Sequence, residues 1–372
     1  MPGRPPDPAV DGVDGVDVET DVLVVGGGPV GLAAAIEARR AGLGVVVLEP
    51  RTAPVDKACG EGLMPGTLAA VRRLGVDPQG WPLRGISYRQ DGVVADHRFA
   101  GGPGRGVRRT ALHAALHAAA LDAGAAVLPR RAGTVAQGAG GVEAAGVRGR
   151  WLLACDGLHS RVRREVGLDL RDVGPREGVL RGVVRRRVGR DRRRRFGLRR
   201  HFRVPPWTDL VEVHWAPRVE AYVTPVAPDL VGVAVLGPAG ADLDAALATL
   251  PELADRLAGA EPEGPVRGAG PMLVRSRART AGRVRLVGDA SGYVDALTGE
   301  GLRVGFAQAR AAVAHLDDPA GYERAWSRAT RDVRWLTTGL VAAATSPLRR
   351  GVVPAAARAP ALYGAVVERL AR

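Results

Sequence analysis

The sequence predicts a mixed α/β (α+β) fold, with a Rossmann-like domain, an inserted antiparallel β-rich domain and C-terminal helices. Within residues 21–51 an apolar run, a glycine turn, a helical run and a second apolar run follow one another. Strand patterns at hairpin spacing fill residues 178–236, and buried-strand patterns stand at 151–156 and 284–287. Because the β-rich stretch separates two α/β pieces, the first domain is expected to be discontinuous along the chain.

The first α/β unit has the sequence of a site for the diphosphate of a dinucleotide. In GGGPVGLAAA, Gly26 permits a tight turn, Gly28 lets the backbone approach the diphosphate, and Gly31 lets helix and strand pack closely. The N-terminus of the following helix offers free N–H groups and the positive end of its dipole to the phosphates. Glu49, which ends the second apolar run, stands near the spacing at which a carboxylate binds ribose hydroxyls.

The order of these patterns divides the chain. Residues 1–20 are rich in Pro, Gly and Asp and are expected to be disordered. The expected nucleotide-binding domain comprises residues 21–83, 103–172 and 268–345. The expected β-rich substrate domain comprises residues 84–102 and 173–267, and a C-terminal helical segment follows at 346–372.

The chain is strongly basic, with a formal charge of +14 and a pI near 11.1. Lys57 is the only lysine, so the positive charge is almost all arginine, and Ala, Gly and Pro are abundant too. This pattern fits a composition bias of the coding DNA, and an aromatic content of 4% is too low for base-stacking platforms. We therefore predict no nucleic-acid partner. For the arginine-rich run 185–203, a strand with a charged outer face and a site for an anionic partner both stay open.

The two cysteines, Cys59 and Cys155, form neither a disulfide framework nor a metal-ligand spacing, so no metal is predicted. No apolar run reaches the ~20 residues that span a bilayer, and the first residues lack the apolar stretch of a signal peptide. A cytoplasmic location is therefore the expectation. Peripheral contact with a membrane and the oligomeric state stay open.

A second motif, RVRLVGDASGYVDALTGEGL, fills residues 283–302. It places Asp289 directly after a buried strand, with Gly299 and Gly301 at the start of a helix. A carboxylate there can accept hydrogen bonds from flavin ribityl hydroxyls. The helix N-terminus can face the isoalloxazine O2/N1 edge, where negative charge builds up on reduction. The motif therefore indicates a flavin. Since no second G-x-G-x-x-G is present, a nicotinamide would visit only transiently, or a separate reductase protein would supply electrons.

Four motifs follow one another: the glycine turn, Arg109 in RRTALHAAL, ACDGLHSRVR (154–163), and residues 283–302. With them the chain, from Asp21 to about His315, resembles the FAD-dependent oxidoreductases that group para-hydroxybenzoate-hydroxylase-type monooxygenases with geranylgeranyl-reductase-type enzymes.

This resemblance implies non-covalent FAD, with the glycine turn at its diphosphate, Glu49 at the adenosine ribose and Asp289 at the ribityl part. It also implies an FAD contact by Arg109, and a role in NAD(P)H use for Asp156-Gly157. The predicted cofactor-binding residues are Gly26, Gly28, Pro29, Val30, Gly31, Glu49, Arg51, Arg109, Asp156, Gly157, Gly288, Asp289, Gly299, Glu300, Gly301 and Leu302.

The motifs divide between the two branches of this group. Hydroxylases usually show GDAAH…P…G-x-G, whereas this chain has GDASGYVDALTGEG, and KACGEGLMP (57–65) also resembles the reductase branch. The lipid-pocket signature of that branch is incomplete, however, and the β-rich domain is compact. We predict a NAD(P)H-using monooxygenase that hydroxylates an aromatic or lipid-like small molecule through a flavin C4a-hydroperoxide. The alternatives are an alkene reductase with hydride transfer from flavin N5, and an FAD-binding protein without turnover.

Three residues are candidates for catalysis, with the substrate expected between the 173–267 sheet and the isoalloxazine. Cys59 would lie over the flavin as an acid, a nucleophile or a lid residue, or is a small loop residue. Glu300 would tune the flavin or help proton transfer, or it stabilises the helix N-terminus. His214 alternates with Val213 on a strand and so faces either the cavity or solvent.

Overall fold

The computed structural model describes residues 18–170 and 195–372, which form the predicted mixed α/β fold around a largely parallel sheet. In spatial order the strands of this first sheet are β17 (Thr280–Ala281), β18 (Val284–Leu286), β11 (Val147–Ala154), β1 (Val18–Val25), β2 (Val45–Leu48) and β8 (Ala126–Leu128), while β10 (Gly141–Ala144) and β9 (Ala136–Gly138) extend β11 on a side path.

The parallel strands of the first sheet end together. Val25 pairs with Leu48 on one side and with Ala154 on the other, and Ala154 pairs with Leu286. The segments that follow these strands therefore leave the sheet at one edge, where ligands bind in open α/β sheets.

The second sheet is antiparallel except where β13 pairs with β5. Its order is β16 (Glu261–Ala269), β12 (Arg195–Arg203), β15 (Leu230–Pro238), β14 (Glu220–Ala227), β13 (Leu210–Trp215), β5 (Gly85–Gln90) and β6 (Val93–Arg98). A small third sheet consists of β3 (Gly62–Leu63), β7 (Gly104–Gly106) and β4 (Trp81–Leu83). Residues 85–98 and 195–269, which are distant in sequence, thus build one β-rich layer.

The helices pack against the sheets, and the C-terminal part of the chain is helical. They are α1 (Pro29–Arg40), α2 (Pro65–Arg73), α3 (Arg109–Asp122), α4 (Arg161–Glu165), α5 (Leu243–Leu247), α6 (Pro251–Arg256), α7 (Gly301–Ala314), α8 (Pro319–Ala344), α9 (Arg349–Arg358) and α10 (Pro360–Ala371), with a 3₁₀ turn at Gly288–Ser291. In the described ranges, no helix has the combined length and apolar character needed to cross a bilayer.

The chain differs from the sequence prediction at its start. Val18, Glu19 and Thr20 were expected to be disordered, yet they belong to β1 and pair with residues 147–149 of β11. The pairing partner, which lies over a hundred residues away, supplies the order that composition could not show. Residues 1–17 lie outside the described ranges, as do residues 185–194 of the arginine-rich run, whose remainder forms β12.

Helices α1 and α7 cross closely against the first sheet. A Cβ at Gly305 of α7 would overlap the Val30 side chain of α1, and a Cβ at Gly31 would overlap the carbonyl oxygen of Gly26. Behind this contact the buried side chains of Leu32, Ile36 and Phe306 join one core cluster. Because both helices approach so closely, their N-termini lie side by side at the carboxyl edge of the sheet.

The Gly31→Ala variant tests the close approach of α1 to the glycine turn. The added methyl meets backbone that has no room to shift, so we expect the free energy of unfolding to fall by about 1–3 kcal/mol, as for overpacked cores. Urea unfolding followed by circular dichroism measures the change. Gly339→Ala is the matched control, because it lies in open space on α8 and should be neutral or stabilising by up to about 1 kcal/mol. Equal stability of the two variants would contradict the packing described.

Candidate cofactor and substrate site

The glycine turn joins β1 directly to α1. Gly26 has a φ of 102°, which an L side chain rarely adopts, and its carbonyl oxygen lies where a Cβ of Gly31 would stand. Helix α1 then begins at Pro29, with Gly28 as its N-cap. His113 of α3, which is buried, hydrogen-bonds through Nε2 to the carbonyl oxygen of Gly27 at 2.9 Å. The turn is therefore held by α3, and the N-terminus of α1 has no side-chain cap that would compete with an anion.

Glu49 stands behind this turn. Its Oε2 accepts a hydrogen bond of 3.0 Å from the Gly27 N–H, and both carboxylate oxygens accept hydrogen bonds from the Arg51 side chain. Burial alone would raise the pKa of Glu49, but the bonds from Arg51 and Gly27 outweigh it and lower that pKa. The carboxylate is therefore ionised at neutral pH, next to the turn.

The cationic side chain of Arg109 lies beside the turn, and the carboxylate of Asp289 lies near Arg109. A Cβ at Gly28 would lie 3.9 Å from Nη2 of Arg109, whose buried Nε has no hydrogen-bond partner among the described residues. Burial lowers the pKa of Arg109, with the Cys59 and Asp289 side chains opposing the shift. Burial also disfavours the charged form of Asp289 and so raises its pKa, while the positive charges of Lys57 and Arg109 oppose this shift. In the described ranges the Asp289 carboxylate forms no hydrogen bond and no close ion pair, and Lys57 and Arg109 act on it through their charge.

Glu61 fixes the loop that carries Cys59. This residue has a φ of 59°, a strained conformation for a side chain other than glycine. Its Oε1 accepts a 2.8 Å hydrogen bond from the Arg109 N–H, and its Oε2 lies 2.6 Å from Nε2 of His201 on β12. Arg199, also on β12, pairs with Asp56 at the start of the loop. The loop is thus bound to both the α3 N-terminus and the second sheet.

These groups open into one cavity of about 450 Å³, which we call the main cavity. Its nucleotide-facing end has the glycine turn, Arg109 and Asp289. Towards the other end the wall becomes apolar, with side chains from the second sheet and from α8–α10. They include Val211, Val213, Tyr222, Ala234, Leu236, Leu340, Val352, Leu362, Tyr363 and Val366.

A buried ion cluster holds this apolar end together. Glu220 of β14, fully buried, pairs with Arg195 of β12 and with Arg349 of α9. Arg195 also pairs with Asp295, with 3.1 Å between Nε and Oδ2. Removing one member of such a cluster would leave a buried charge unpaired, so the cluster fixes α9 against β12 and β14.

Most of the predicted site residues meet in the main cavity although they come from distant parts of the chain. Its wall contains Gly28, Pro29, Val30, Cys59, Arg109, Gly157, Gly288, Asp289, Gly299, Gly301 and Leu302. Gly26, Gly31, Glu49 and Arg51 do not line this cavity, and Glu49 accepts hydrogen bonds from Gly27 and Arg51. Asp156 accepts hydrogen bonds from the N–H groups of Arg161 and Val162 at the start of α4, so its Oδ2 stabilises a helix.

Two of the three catalytic candidates do not face the main cavity. His214 was expected to face the cavity or solvent, but it is buried, with Nε2 lying 3.0 Å from Oε2 of Glu212. Strand alternation explains this, because Val213 takes the cavity face of β13 and the next side chain takes the opposite face. Glu300 is buried too, and its carboxylate pairs with Arg303 and faces a different cavity.

Sequence reasoning missed several side chains around the site. His113 and Glu61 support it, while Lys57, Tyr222 and Tyr293 line the main cavity. One signal was present for His113, since it stands beside the buried Leu112 and Leu116 on α3. For Glu61 the sequence shows only a glycine-rich loop, and its partner His201 is 140 residues away.

The donor set fits a flavin dinucleotide. A helix N-terminus and Arg109 suit a diphosphate, because both carry positive charge that the described residues leave unpaired. Asp289, whose carboxylate has no hydrogen-bond partner among the described residues, suits hydroxyl donors. The N-terminus of α7, at Gly301, lies on the same wall and suits an anionic ring edge.

Comparison with known proteins supports FAD as this dinucleotide. Residues 19–82 match the family model of an FAD binding domain. A menaquinone reductase of Mycolicibacterium smegmatis is 44% identical over 84 residues, which are 22% of this chain and 20% of the relative. A digeranylgeranylglycerophospholipid reductase 2 of Methanopyrus kandleri is 34% identical over 169 residues, which are 41% of each chain. The matches therefore span well under half of these relatives.

The fold is shared over a much longer stretch. The crystal structure of p-nitrophenol 4-monooxygenase from Pseudomonas putida superposes with a TM-score of 0.71 at 18% identity, covering 95% of each chain. At that identity the similarity concerns the fold alone. Together with the family match, it confirms the resemblance predicted from the motifs: the chain has the FAD-binding Rossmann-type fold of the FAD-dependent oxidoreductases that include hydroxylase-type and geranylgeranyl-reductase-type enzymes.

Proposed function

We propose that this protein is an FAD-dependent oxidoreductase that saturates a carbon–carbon double bond in a prenyl-chain lipid. The observation that carries the proposal is the main cavity, which joins polar residues suited to a dinucleotide to a wall of apolar side chains. The partial sequence matches to reductases named for menaquinone and for digeranylgeranylglycerophospholipid support it. This choice replaces the predicted hydroxylation, which rested on the compact β-rich domain and the incomplete lipid-pocket signature rather than on the motif at residues 283–302.

The residues of the dinucleotide end would hold FAD without a covalent bond. Backbone N–H groups at the start of α1 and the Arg109 side chain bind the diphosphate, and Asp289 accepts hydrogen bonds from ribityl hydroxyls. The α7 N-terminus stabilises negative charge at the pyrimidine edge of the ring. FAD, when bound, supplies hydride transfer. We propose NAD(P)H as the transient reductant, and the cytoplasmic location stays a prediction.

The apolar end would bind the lipid chain. Burying a CH₂ group contributes about 0.8 kcal/mol, so one five-carbon prenyl unit contributes about 4 kcal/mol of binding free energy. Val213 and Leu236 of the second sheet face this space, and Val352 and Leu362 approach it from the C-terminal helices. Leu362 is 67% exposed while it lines the cavity, so the apolar end opens beside α10.

Cys59 is the catalytic candidate that the geometry retains. It lies on the main cavity wall, and its Sγ accepts a hydrogen bond of 3.4 Å from the Glu61 N–H. We propose that this loop excludes water from the reacting carbon atoms and that the thiol is close enough to serve as a proton donor there.

A second candidate function is hydroxylation of an aromatic ring. It is favoured by tyrosines on the wall, because Tyr88, Tyr222 and Tyr363 offer faces on which an aromatic substrate can pack. This reaction consumes O₂ and adds an oxygen atom, whereas saturation of an alkene needs no O₂.

Anaerobic turnover separates these functions. The purified protein is reduced with NADPH or dithionite under argon and supplied with a menaquinone that has an unsaturated side chain. After any menaquinol has been reoxidised in air, we expect a menaquinone that keeps two additional hydrogen atoms in its side chain, detected by mass spectrometry. A product that forms only in air and has gained oxygen would establish the hydroxylase instead. A flavin that is reduced but transfers nothing under either condition would indicate a non-catalytic FAD-binding protein.

Removing the Asp289 carboxylate tests the cofactor site. A hydrogen bond to a charged group is worth about 1.5–3 kcal/mol, so Asp289→Ala should weaken FAD binding by about 10- to 100-fold. Flavin absorbance of the purified variant, and titration of its apoprotein with FAD, measure the loss. Asp229→Asn is the control, because the Asp229 carboxylate is exposed in the turn between β14 and β15. This variant should retain FAD. Full FAD occupancy in Asp289→Ala would show that the assignment of this motif is wrong.

A further inference from the structure

A second cavity of about 550 Å³ lies behind the 288–301 segment, and we call it the rear cavity. It is bounded by that segment, by α7 and by α8. Gly288, Asp289, Tyr293, Thr298 and Gly301 line both cavities, so the two are separated by a single layer of protein. The rear cavity thus adjoins the dinucleotide end of the main cavity.

Glu300 belongs to the segment that separates the two cavities, and its side chain lies on the rear side. Its side chain is 1% exposed and lines the rear cavity, where the buried Oε1 has no hydrogen-bond partner among the described residues. Its Oε2 pairs with Nε of Arg303, one turn along α7. The residue is the N-cap of α7 by position, but its side chain makes no capping hydrogen bond. The carboxylate therefore forms no capping hydrogen bond, and any stabilisation of the helix N-terminus comes from its charge alone.

We propose that Glu300 takes up a proton from solvent, through the rear cavity, when the cofactor in the main cavity is reduced. This inference rests on the proposed function, because it needs FAD at the dinucleotide end. Two-electron reduction of FAD to its anionic form consumes one proton. With Glu300 ionised beforehand, its protonation consumes a second proton and gives neutral Glu300. The electrons come from NAD(P)H, or from dithionite in the test.

The physical reason is a pair of negative charges in a buried place. Reduction adds negative charge at the ring edge beside Gly301, directly next to Glu300 in sequence. A negative charge on the ring edge and one on the Glu300 carboxylate would repel each other strongly inside the protein, because little water screens them. Protonating Glu300 removes the repulsion. Its unpartnered oxygen is the atom to which the proton would add.

The rear cavity provides the route for that proton. Its volume far exceeds the ~10–15 Å³ that one water molecule requires, and it has polar partners for water. Hydroxyl groups of Thr298, Thr330 and Thr337 line it, and the exposed Arg334 stands on its wall. A proton from solvent can therefore reach Oε1 without passing through the substrate end.

The ionisation of Glu300 sets the pH range of the effect. Burial raises the pKa of this carboxyl to about 7, while Arg303 opposes the shift. The other charged or titratable groups lining the rear cavity are Asp289, Tyr293, Asp295, Arg275 and Arg334. Burial raises the pKa of Tyr293 well above its ordinary value, so this phenol stays protonated. Well below pH 7 Glu300 is largely neutral before reduction, so the extra proton uptake is expected at higher pH.

Proton uptake on reduction tests the proposal. The FAD-loaded protein is reduced with a measured amount of dithionite under argon in weakly buffered solution with a pH indicator. After correction for dithionite's own protons, we expect uptake to approach two protons per two electrons at about pH 8, and one in Glu300→Gln. At pH 6 the two proteins should agree. Glu300→Asp, which keeps a carboxylate, should restore part of the second proton.

Controls separate this inference from the proposed function. Glu212→Gln removes a carboxylate that is equally buried but lines neither cavity, and it should leave proton uptake unchanged. Glu300→Gln resembles the neutral form that burial favours, so it should fold and keep FAD. If Glu300→Gln takes up as many protons as the parent at pH 8, the inference is wrong although the protein binds FAD. A parent protein that binds no FAD would overturn the proposed function as well.

Discussion

The close crossing of α1 and α7 is the constraint on which the candidate site depends. A Cβ at Gly305 would overlap Val30 of α1, so glycine there lets α7 approach α1. A Cβ at Gly31 would overlap Gly26, so glycine there lets α1 approach the end of β1. The result is a cavity flanked by two helix N-termini, one suited to a diphosphate and one to an anionic ring. The cationic Arg109 and the Asp289 carboxylate complete that arrangement between them.

The apolar half of the main cavity depends on a different interaction. Glu220, between Arg195 and Arg349, ties the second sheet to α9, and Asp295 extends the same cluster to the segment that leads into α7. The cluster therefore links the wall expected to face the substrate with the wall expected to face the cofactor. Since buried ion pairs contribute little net stability, we infer that its main effect is to fix geometry.

The motifs could be located from the sequence because they are local. Gly26–Gly31 and Asp289–Gly301 depend on spacing within one turn or one strand end, which the sequence displays directly. Which cavity or surface a side chain faces could not be predicted in the same way. Alternation separates His214 from Val213, but which side of β13 meets the cavity depends on how the second sheet packs. Glu61 depends on His201 and Arg109, neither of which is near it in sequence.

Hydrogen–deuterium exchange of the apoprotein, with and without FAD, tests most directly whether one cofactor spans these distant segments. If it does, added FAD should slow exchange together at residues 26–31, at the Arg109 end of α3 and across residues 287–302. Slowing confined to residues 26–31, or the absence of any change at saturating FAD, would contradict the central claim.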